Sequence, residues 1–228
     1  MSSPGAPPPS NSLPIIDSHI HLYPSSELTT LSWMTPSHPL ASQRSITEYK
    51  TAIAPSPSHV EGFIAIEAAR LNASSTDWTH PLQELSFLSR IAAGLPNPDE
   101  GHEPQDASLL LGIVPWAPLN LGVEQLEKYL AQAEEEAGPE TWKKVKGFRY
   151  LLQDQPNGTG LEEGFVEGLK LLGRRGFVFD VGVDQHRRGK VQLEELVDMM
   201  ERAHEGVERE EEKIVFILSE FGFVSYCS

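Results

Sequence analysis

The sequence predicts an α/β fold built on a parallel sheet. Three features point to it: six short apolar segments, amphipathic helical patterns between them, and strand segments that are apolar at nearly every residue. Strands that alternate strictly with helices are typical of βαβ units, in which the strands run parallel. Because such strands are buried on both faces, they carry continuous apolar runs instead of an apolar–polar alternation.

The six predicted strands are short and become regularly spaced. They cover residues 13–17, 60–67, 109–119, 144–152, 176–184 and 213–220. From the third strand onward, the strand starts follow one another at intervals in the thirties, and each interval suits one βα unit.

Helical patterns fill the intervals between the strands. Apolar residues three and four positions apart form one stripe in residues 80–95, 122–137, 162–176 and 191–205. A weaker candidate, 45–53, begins at a serine that suits a helix N-terminus. No glycine-rich dinucleotide fingerprint follows any strand. Two architectures therefore remain open, a doubly wound sheet and a (β/α)8 barrel.

The composition disfavours several classes of function. The chain has 18 basic and 33 acidic residues, and its net charge of −15 disfavours binding to nucleic acid or to an anionic membrane. Its longest apolar runs are strand-sized and too short to span a bilayer. The single cysteine, Cys227, excludes an intrachain disulfide and suits a reducing compartment. We therefore expect a cytoplasmic protein with a small-molecule substrate.

Two histidines stand one residue apart where the first predicted strand ends. Side chains at i and i+2 of a strand point to the same side, so His19 and His21 face together. Two neighbouring imidazoles make half of a divalent-metal site, most naturally for zinc. Asp17, one step deeper, is predicted to orient one of the histidines. The alternative is that the pair is merely polar residues at a strand end.

The ends of the other predicted strands supply further candidate site residues. They are Glu67, Trp116, Gln153, Asp184 and His186. His186 is a candidate metal ligand, although the QHRRGK segment around it reads equally well as an exposed basic loop.

The stretch LPIIDSHIHLYP (13–24) resembles the opening strand of the amidohydrolase superfamily. Three further stretches, VKGFRYLLQDQPNGTGL, GFVFDVGVDQHRRG and KIVFIL, are similar to the amidohydrolase-2 branch that includes sugar lactonases and pyrone-dicarboxylate lactonase, in its fungal form. The resemblance covers residues 13 to about 218. It implies an incomplete (β/α)8 TIM barrel with about six of eight βα units, since a full barrel needs about 250 residues.

The resemblance also implies roles for particular residues. His19 and His21 match the strand-1 metal or active-site pair of the family. Arg149 matches an arginine at the mouth of strand 4 that binds an anionic or carbonyl-bearing substrate, and a guanidinium fork suits either. A structural ion pair with Asp154 is the alternative for Arg149. The implied cofactor is a divalent metal, most naturally zinc for imidazole ligands, although some members of the branch work without a metal.

The C-terminal end departs from the resembled pattern. In the resembled family, the sixth strand carries a histidine that belongs to the site. This chain has Glu220 at the corresponding position, and Glu220 is a candidate metal ligand. The eighth-strand aspartate of the family has no counterpart. We therefore expect a disordered leader at 1–12, a partial barrel at 13–220 and a tail outside the family pattern at 221–228. The open edges of a partial barrel are expected to favour self-association.

The activity that the resemblance implies is hydrolysis of a C–O bond in a lactone or sugar lactone. A metal or the positioned histidines would polarise the carbonyl, and water would attack with a carboxylate as base. Two alternatives stay open: a catalytically inactive truncated product and a metal-dependent decarboxylase of the same superfamily.

Overall fold

Six parallel strands form the framework of the chain. The structure is a computed structural model and describes residues 13–56, 59–72 and 76–218. The strands are β1 (Ile15–Ile20), β2 (Val60–Ile66), β3 (Leu110–Val114), β4 (Gly147–Leu151), β5 (Val178–Gly182) and β6 (Val215–Leu218). They form two parallel three-stranded sheets, ordered β1-β2-β3 and β4-β5-β6. The predicted α/β class with parallel strands is confirmed.

Backbone hydrogen bonds connect the two sheets across β3 and β4. The amide of Ile113 donates to the carbonyl of Lys144 at 2.8 Å, and the amide of Lys146 donates to the carbonyl of Ile113 at 2.9 Å. Nearer the other end of β4, the amide of Arg149 donates to the carbonyl of Pro115 at 2.9 Å. The strands therefore follow one another in chain order without a reversal. A doubly wound sheet reverses its strand order, so this order argues for the barrel-type arrangement.

Helices lie between the strands where the apolar stripes predict them. They are α1 (Ile46–Ile53), α2 (Thr79–Ala93), α3 (Val123–Trp142), α4 (Glu163–Arg174), α5 (Gln185–Arg188) and α6 (Lys190–His204). Helix α3 runs past the predicted end through a kink at Gly138, whose φ is 70°, because Pro139 can begin a new helical turn. The short helix α5 lies in a segment that the sequence predicts as a loop.

Alternating strand residues separate an apolar face from a polar face. Phe148 and Phe179 are fully buried and face the helices, where Phe179 contacts the ring of Phe165. Their neighbours Arg149 and Asp180 are opposite each other in the register of β4 and β5, so they share the other face of the sheet. The helices thus cover the apolar core, and the opposite face carries the charged residues.

The first and last strands are much more exposed than the central ones. In β1, Ile15 and Ile16 are 42% and 53% exposed, and in β6, Val215 is 57% exposed. Phe63 of β2 and Phe179 of β5, by contrast, are fully buried. Within the described ranges, β1 and β6 end the strand order, so their outer edges present apolar side chains to solvent.

Several predictions from the sequence concern residues that the structure does not describe. The proposed leader at 1–12, the tail at 221–228 and the candidate ligand Glu220 all lie outside the described residues. Among the helices of the described ranges, none is both long and apolar enough to cross a membrane.

Candidate active site

The histidine pair lies at the end of β1 with its two rings together. The Nε2 atoms of His19 and His21 are 3.3 Å apart, and the rings are nearly perpendicular at 84°. Nδ1 of His21 donates to the carbonyl of Ile66 at the end of β2, at 3.2 Å. This hydrogen bond fixes the ring, so a neutral His21 carries its lone pair on Nε2. The two imidazoles therefore face each other, as their spacing predicts.

Asp17 occupies a different place from the one that strand alternation predicts. A register shift between Asp17 and Ile20 sets three residue steps of β1 against two of β2. Such a bulge breaks the alternation of side chains. The Asp17 carboxylate accepts from the hydroxyl of Tyr49 on α1 at 3.4 Å and from the backbone amide of His19 at 3.4 Å. Burial and this carboxylate raise the pKa of Tyr49 to about 12. The structure thus brings Asp17 to a helix residue instead of to a histidine ring.

Arg149 links the histidine pair to two buried carboxylates. Its Nη1 lies 3.4 Å from Nε2 of His19, and its Nε lies 3.2 Å from Oδ1 of Asp180 and 3.9 Å from Oε1 of Glu67. Arg149, Glu67 and Asp180 are each at most 2% exposed. The sequence analysis named Asp154 as an alternative ion-pair partner, but Asp154 pairs with Arg187 at 3.3 Å. The guanidinium is therefore held by one acid directly after β2 and one on β5.

Two residues that position Arg149 escaped the sequence analysis. Asp180 is its cross-strand partner, and the signal was a single charged residue inside the apolar strand run GFVFDVGVD. Gly182 leaves space for the guanidinium, because a Cβ there would lie 3.1 Å from Nη2 of Arg149 and 2.6 Å from Leu151. A glycine at this strand position thus allows the guanidinium to approach the backbone closely.

A cavity of 470 Å³ lies over these residues, at the carboxyl ends of the strands. Its polar lining is formed by His21, Glu67, Arg149, Gln153, Asp184 and Arg187. Its apolar wall is formed by Trp33, Leu40, Ala68, Ala69 and Leu151. A cavity of this size with a few convergent polar groups is typical of a small-molecule site.

The polar rim is held by a buried glutamine and an exposed arginine. Oε1 of Gln192 accepts from the amide of Asp184 at 2.6 Å, and Nε2 of Gln192 donates to the carbonyl of Leu152 at 3.1 Å. Arg187 donates to the Asp184 carboxylate, and this hydrogen bond lowers the pKa of Asp184. Gln192 therefore ties the ends of β4 and β5 together beneath the rim.

The remaining candidates lie away from the histidine pair. His186 is exposed on α5, is absent from the cavity lining, and contributes its backbone amide to Asp184 at 3.0 Å. Trp116 packs edge-on against Tyr129, outside the cavity lining. Within the described ranges, no group of three or more His, Cys, Asp or Glu side chains could hold a metal ion.

A buried ion-pair network fixes the segment between β1 and α1, which carries the apolar wall. Nη1 of Arg70 lies 2.9 Å from Oε2 of Glu27, and its Nε lies 3.1 Å from Oε1 of Glu84. Nη1 also donates to the hydroxyl of Thr30 at 2.7 Å. Burial raises the pKa of Glu27 and of Glu84, and Arg70 lowers both in part. The network joins three segments: the 3-10 helix Ser25–Thr30, the end of β2 and helix α2.

The two imidazoles fit two positions of a metal site. Tetrahedral zinc with Zn–N bonds of about 2.0–2.1 Å separates two ligand nitrogens by about 3.3 Å. Arg149 has only donors, so Nε2 of His19 accepts from it at 3.4 Å and must carry a lone pair there. The 3.3 Å between the Nε2 atoms of His19 and His21 matches that spacing of ligand nitrogens.

No family model matches the chain. The sequence is 32% identical over 192 residues to the L-rhamnono-gamma-lactonase of Scheffersomyces stipitis. That alignment covers 82% of this chain and 56% of the lactonase, so the chain spans about half the length of this curated relative.

Solved structures show the same fold. An amidohydrolase from Burkholderia multivorans, crystallised with bound zinc, matches 82% of this chain and 54% of its own, with a TM-score of 0.56 and 21% identity. Amidohydrolase 2 from Bifidobacterium longum subsp. infantis matches 83% of this chain and 59% of its own, with a TM-score of 0.50 and 14% identity. The chain belongs to the amidohydrolase-2 family of the amidohydrolase superfamily, in its lactonase-like branch.

Proposed function

We propose that this chain carries the active-site residues of a hydrolase that opens the ring of a sugar lactone. The observation that carries the proposal is the convergence of His21, Glu67 and Arg149 on one cavity at the strand ends, with His19 next to His21 and Arg149. The similarity to a rhamnonolactone hydrolase supports the substrate class. A cytoplasmic location remains part of the proposal, because a reducing compartment suits the single cysteine.

Each group has a defined part in the proposed reaction. Arg149 donates hydrogen bonds to the lactone carbonyl oxygen and stabilises the negative charge that develops there. Glu67 lines the cavity and accepts a proton from the attacking water. The water oxygen bonds to the carbonyl carbon, the ring C–O bond breaks, and the ring oxygen takes up the proton to become a hydroxyl. The product is the ring-opened hydroxy acid.

We further propose that His19 and His21 hold a divalent metal, with zinc preferred for an imidazole pair. When bound, the ion would supply Lewis-acid polarisation. Elemental analysis tests this directly: the wild-type chain is expected to retain zinc after gel filtration, and His21→Asn is expected to lose it. His186→Asn is the matched control, because His186 is exposed and outside the cavity. Equal zinc in wild type and His21→Asn would contradict the proposal.

We also propose that the six strands are part of an eight-stranded barrel. The sequential strand order and the exposed apolar edges of β1 and β6 support this arrangement. In a closed barrel, each strand pairs on both sides and no edge remains. In the isolated chain, the same edges favour association between copies.

Acid release tests the proposed activity. The hydroxy acid ionises at pH 7, so titration at constant pH follows the opening of L-rhamnono-γ-lactone above its spontaneous rate. Glu67→Gln is expected to lower kcat/KM by about 100-fold, as for loss of a general base. Glu61→Gln is the matched control, because Glu61 lies on β2, the strand that Glu67 follows, but is exposed. Full activity in Glu67→Gln, or release of carbon dioxide in place of the ring-opened acid, would contradict the assignment.

A further inference from the structure

We propose that Trp33 is the platform on which a neutral polyhydroxy lactone stacks, and that it sets the substrate class of the site. This inference rests on the proposed function, since it concerns the same cavity. Trp33 lines the cavity beside His21, and its side chain is 36% exposed. The other apolar residues of the lining, Leu40, Ala68, Ala69 and Leu151, are smaller, so the indole is the largest apolar side chain that the lining offers to a substrate.

The indole is held rigidly. Its Nε1 donates to the carbonyl of Ala68 at 2.8 Å, and its ring packs edge-on against Tyr23 and His38 at centroid distances of 6.0 and 5.1 Å. The preceding residue is fixed as well, because the amide of Ser32 donates to the carbonyl of Ala69 at 2.9 Å. A surface ordered before binding costs less conformational entropy when the substrate arrives.

The surrounding backbone and charges add to this rigidity. The amide of Leu71 donates to the carbonyl of Thr30 at 2.7 Å, so the segment before Trp33 is hydrogen-bonded to the segment that follows β2. The buried ion pairs of Arg70 with Glu27 and Glu84 also connect this segment to helix α2. The segment that carries the indole is therefore held both by backbone hydrogen bonds and by buried ion pairs.

The polar lining and the apolar wall of the cavity match the polar edge and the apolar faces of a sugar lactone. A lactone of this kind has hydroxyl groups around its edge and C–H groups on its faces. The apolar wall of Trp33 and Leu40 suits a C–H face, whereas Glu67, Gln153 and Asp184 suit the hydroxyl edge. Aromatic faces carry partial negative charge, which attracts the weakly positive C–H groups.

The charge of the cavity favours a neutral substrate over a dianionic one. Its two arginines are already paired with acids: Arg149 with Asp180 at 3.2 Å, and Arg187 with Asp154 at 3.3 Å. Glu67, 3.9 Å from Nε of Arg149, and Asp184, which accepts from Arg187, share these two arginines and line the same space. Four carboxylates thus oppose two guanidinium groups. A planar dicarboxylate would stack on the indole equally well but would meet the net negative charge of these side chains in the metal-free chain.

Isothermal titration calorimetry of the full chain tests the platform without requiring turnover. The probes are L-rhamnono-γ-lactone, as the neutral ring, and isophthalate, as the planar dicarboxylate. The wild-type chain is expected to show a saturable heat change with the lactone, at least about tenfold tighter than with isophthalate. Trp33→Phe keeps an aromatic face but loses the bond to Ala68, and Trp33→Ala removes the face. We expect Kd for the lactone to rise about tenfold or more in Trp33→Ala, a loss of about 1.4 kcal/mol, with a smaller rise in Trp33→Phe. Trp116→Phe is the matched control, because Trp116 lies outside the cavity lining.

The outcomes separate the platform from the proposed activity. Unchanged lactone affinity in Trp33→Ala, equal affinity of the wild type for isophthalate, or no saturable heat change in the wild type would each overturn the platform. Hydrolysis by the wild type with an unchanged KM in Trp33→Ala would leave the activity standing and remove the platform. Lactone binding that depends on Trp33 but leads to no acid release would support the platform and contradict the activity.

Discussion

Replacement of Arg70 by methionine is predicted to destabilise the chain strongly and in a pH-dependent way. Arg70 is 7% exposed and provides the counter-charge for Glu27 at 2.9 Å and Glu84 at 3.1 Å. Methionine fills a similar volume but leaves both carboxylates buried without a cation. Removal of one partner of a buried ion pair costs about 3–5 kcal/mol. For a chain of this length, such a loss lowers Tm by about 10 °C.

The pH dependence follows from the direction of the two pKa shifts. Burial raises the folded-state pKa of Glu27 and of Glu84 above the ordinary value of 4.5. Between the ordinary and the raised pKa, the folded state binds more protons than the unfolded state, so stability increases as the pH falls. Arg70 lowers both pKa values in the wild type, and its loss raises them further. The destabilisation in Arg70→Met should therefore be smaller at pH 5 than at pH 8, by up to about 1.4 kcal/mol for each pKa unit gained.

Urea denaturation at pH 8 and pH 5 measures both effects. Arg209→Met is the matched control, because Arg209 is 64% exposed in its pairs with Glu211 and Glu212 and should cost below about 0.5 kcal/mol. Adding Glu84→Gln to Arg70→Met should recover part of the loss at pH 8. A destabilisation equal at the two pH values, or no larger than that of Arg209→Met, would refute the reasoning.

Three further predictions concern the site and the strand edges. Gly182→Ala should displace the Arg149 guanidinium, because Nη2 of Arg149 would lie 3.1 Å from the added Cβ. The variant should lower kcat/KM for the lactone about tenfold. An unchanged kcat/KM would show that this close approach is unimportant. Gln192→Leu should lower the free energy of unfolding in urea by about 2 kcal/mol, because it leaves the buried amide of Asp184 without its acceptor. A loss under about 0.5 kcal/mol would argue against that role. Ile15→Lys combined with Ile217→Lys should raise the monomer fraction measured by light scattering, since charged residues on edge strands oppose association, and an unchanged mass distribution would exclude these edges as the contact.

The fold could be predicted because each element carries its own local signal. The apolar run of β5 and the apolar stripe of α4 each depend only on nearby residues. In the structure, both ends of each element lie within two residues of the predicted ends. The kink of α3 at Gly138 was missed because the apolar stripe gives no sign that a helix resumes after a break.

The candidate site was predictable only in part, because contacts between distant segments decide it. The spacing of His19 and His21 predicts their common face, whereas the bulge that turns Asp17 toward Tyr49 comes from the pairing with β2. Trp33 lies in a segment with no regular period, so only the folded chain brings it to the cavity.

Formation of the ring-opened acid from L-rhamnono-γ-lactone, followed by proton NMR at fixed pH, tests the central claim most directly. The wild-type chain should open the lactone faster than buffer alone. His19→Asn and Arg149→Met should each lower that rate by at least about 100-fold, since they remove groups that converge on the cavity. Equal rates for these variants and the wild type would show that the cavity at the strand ends is not the site of reaction.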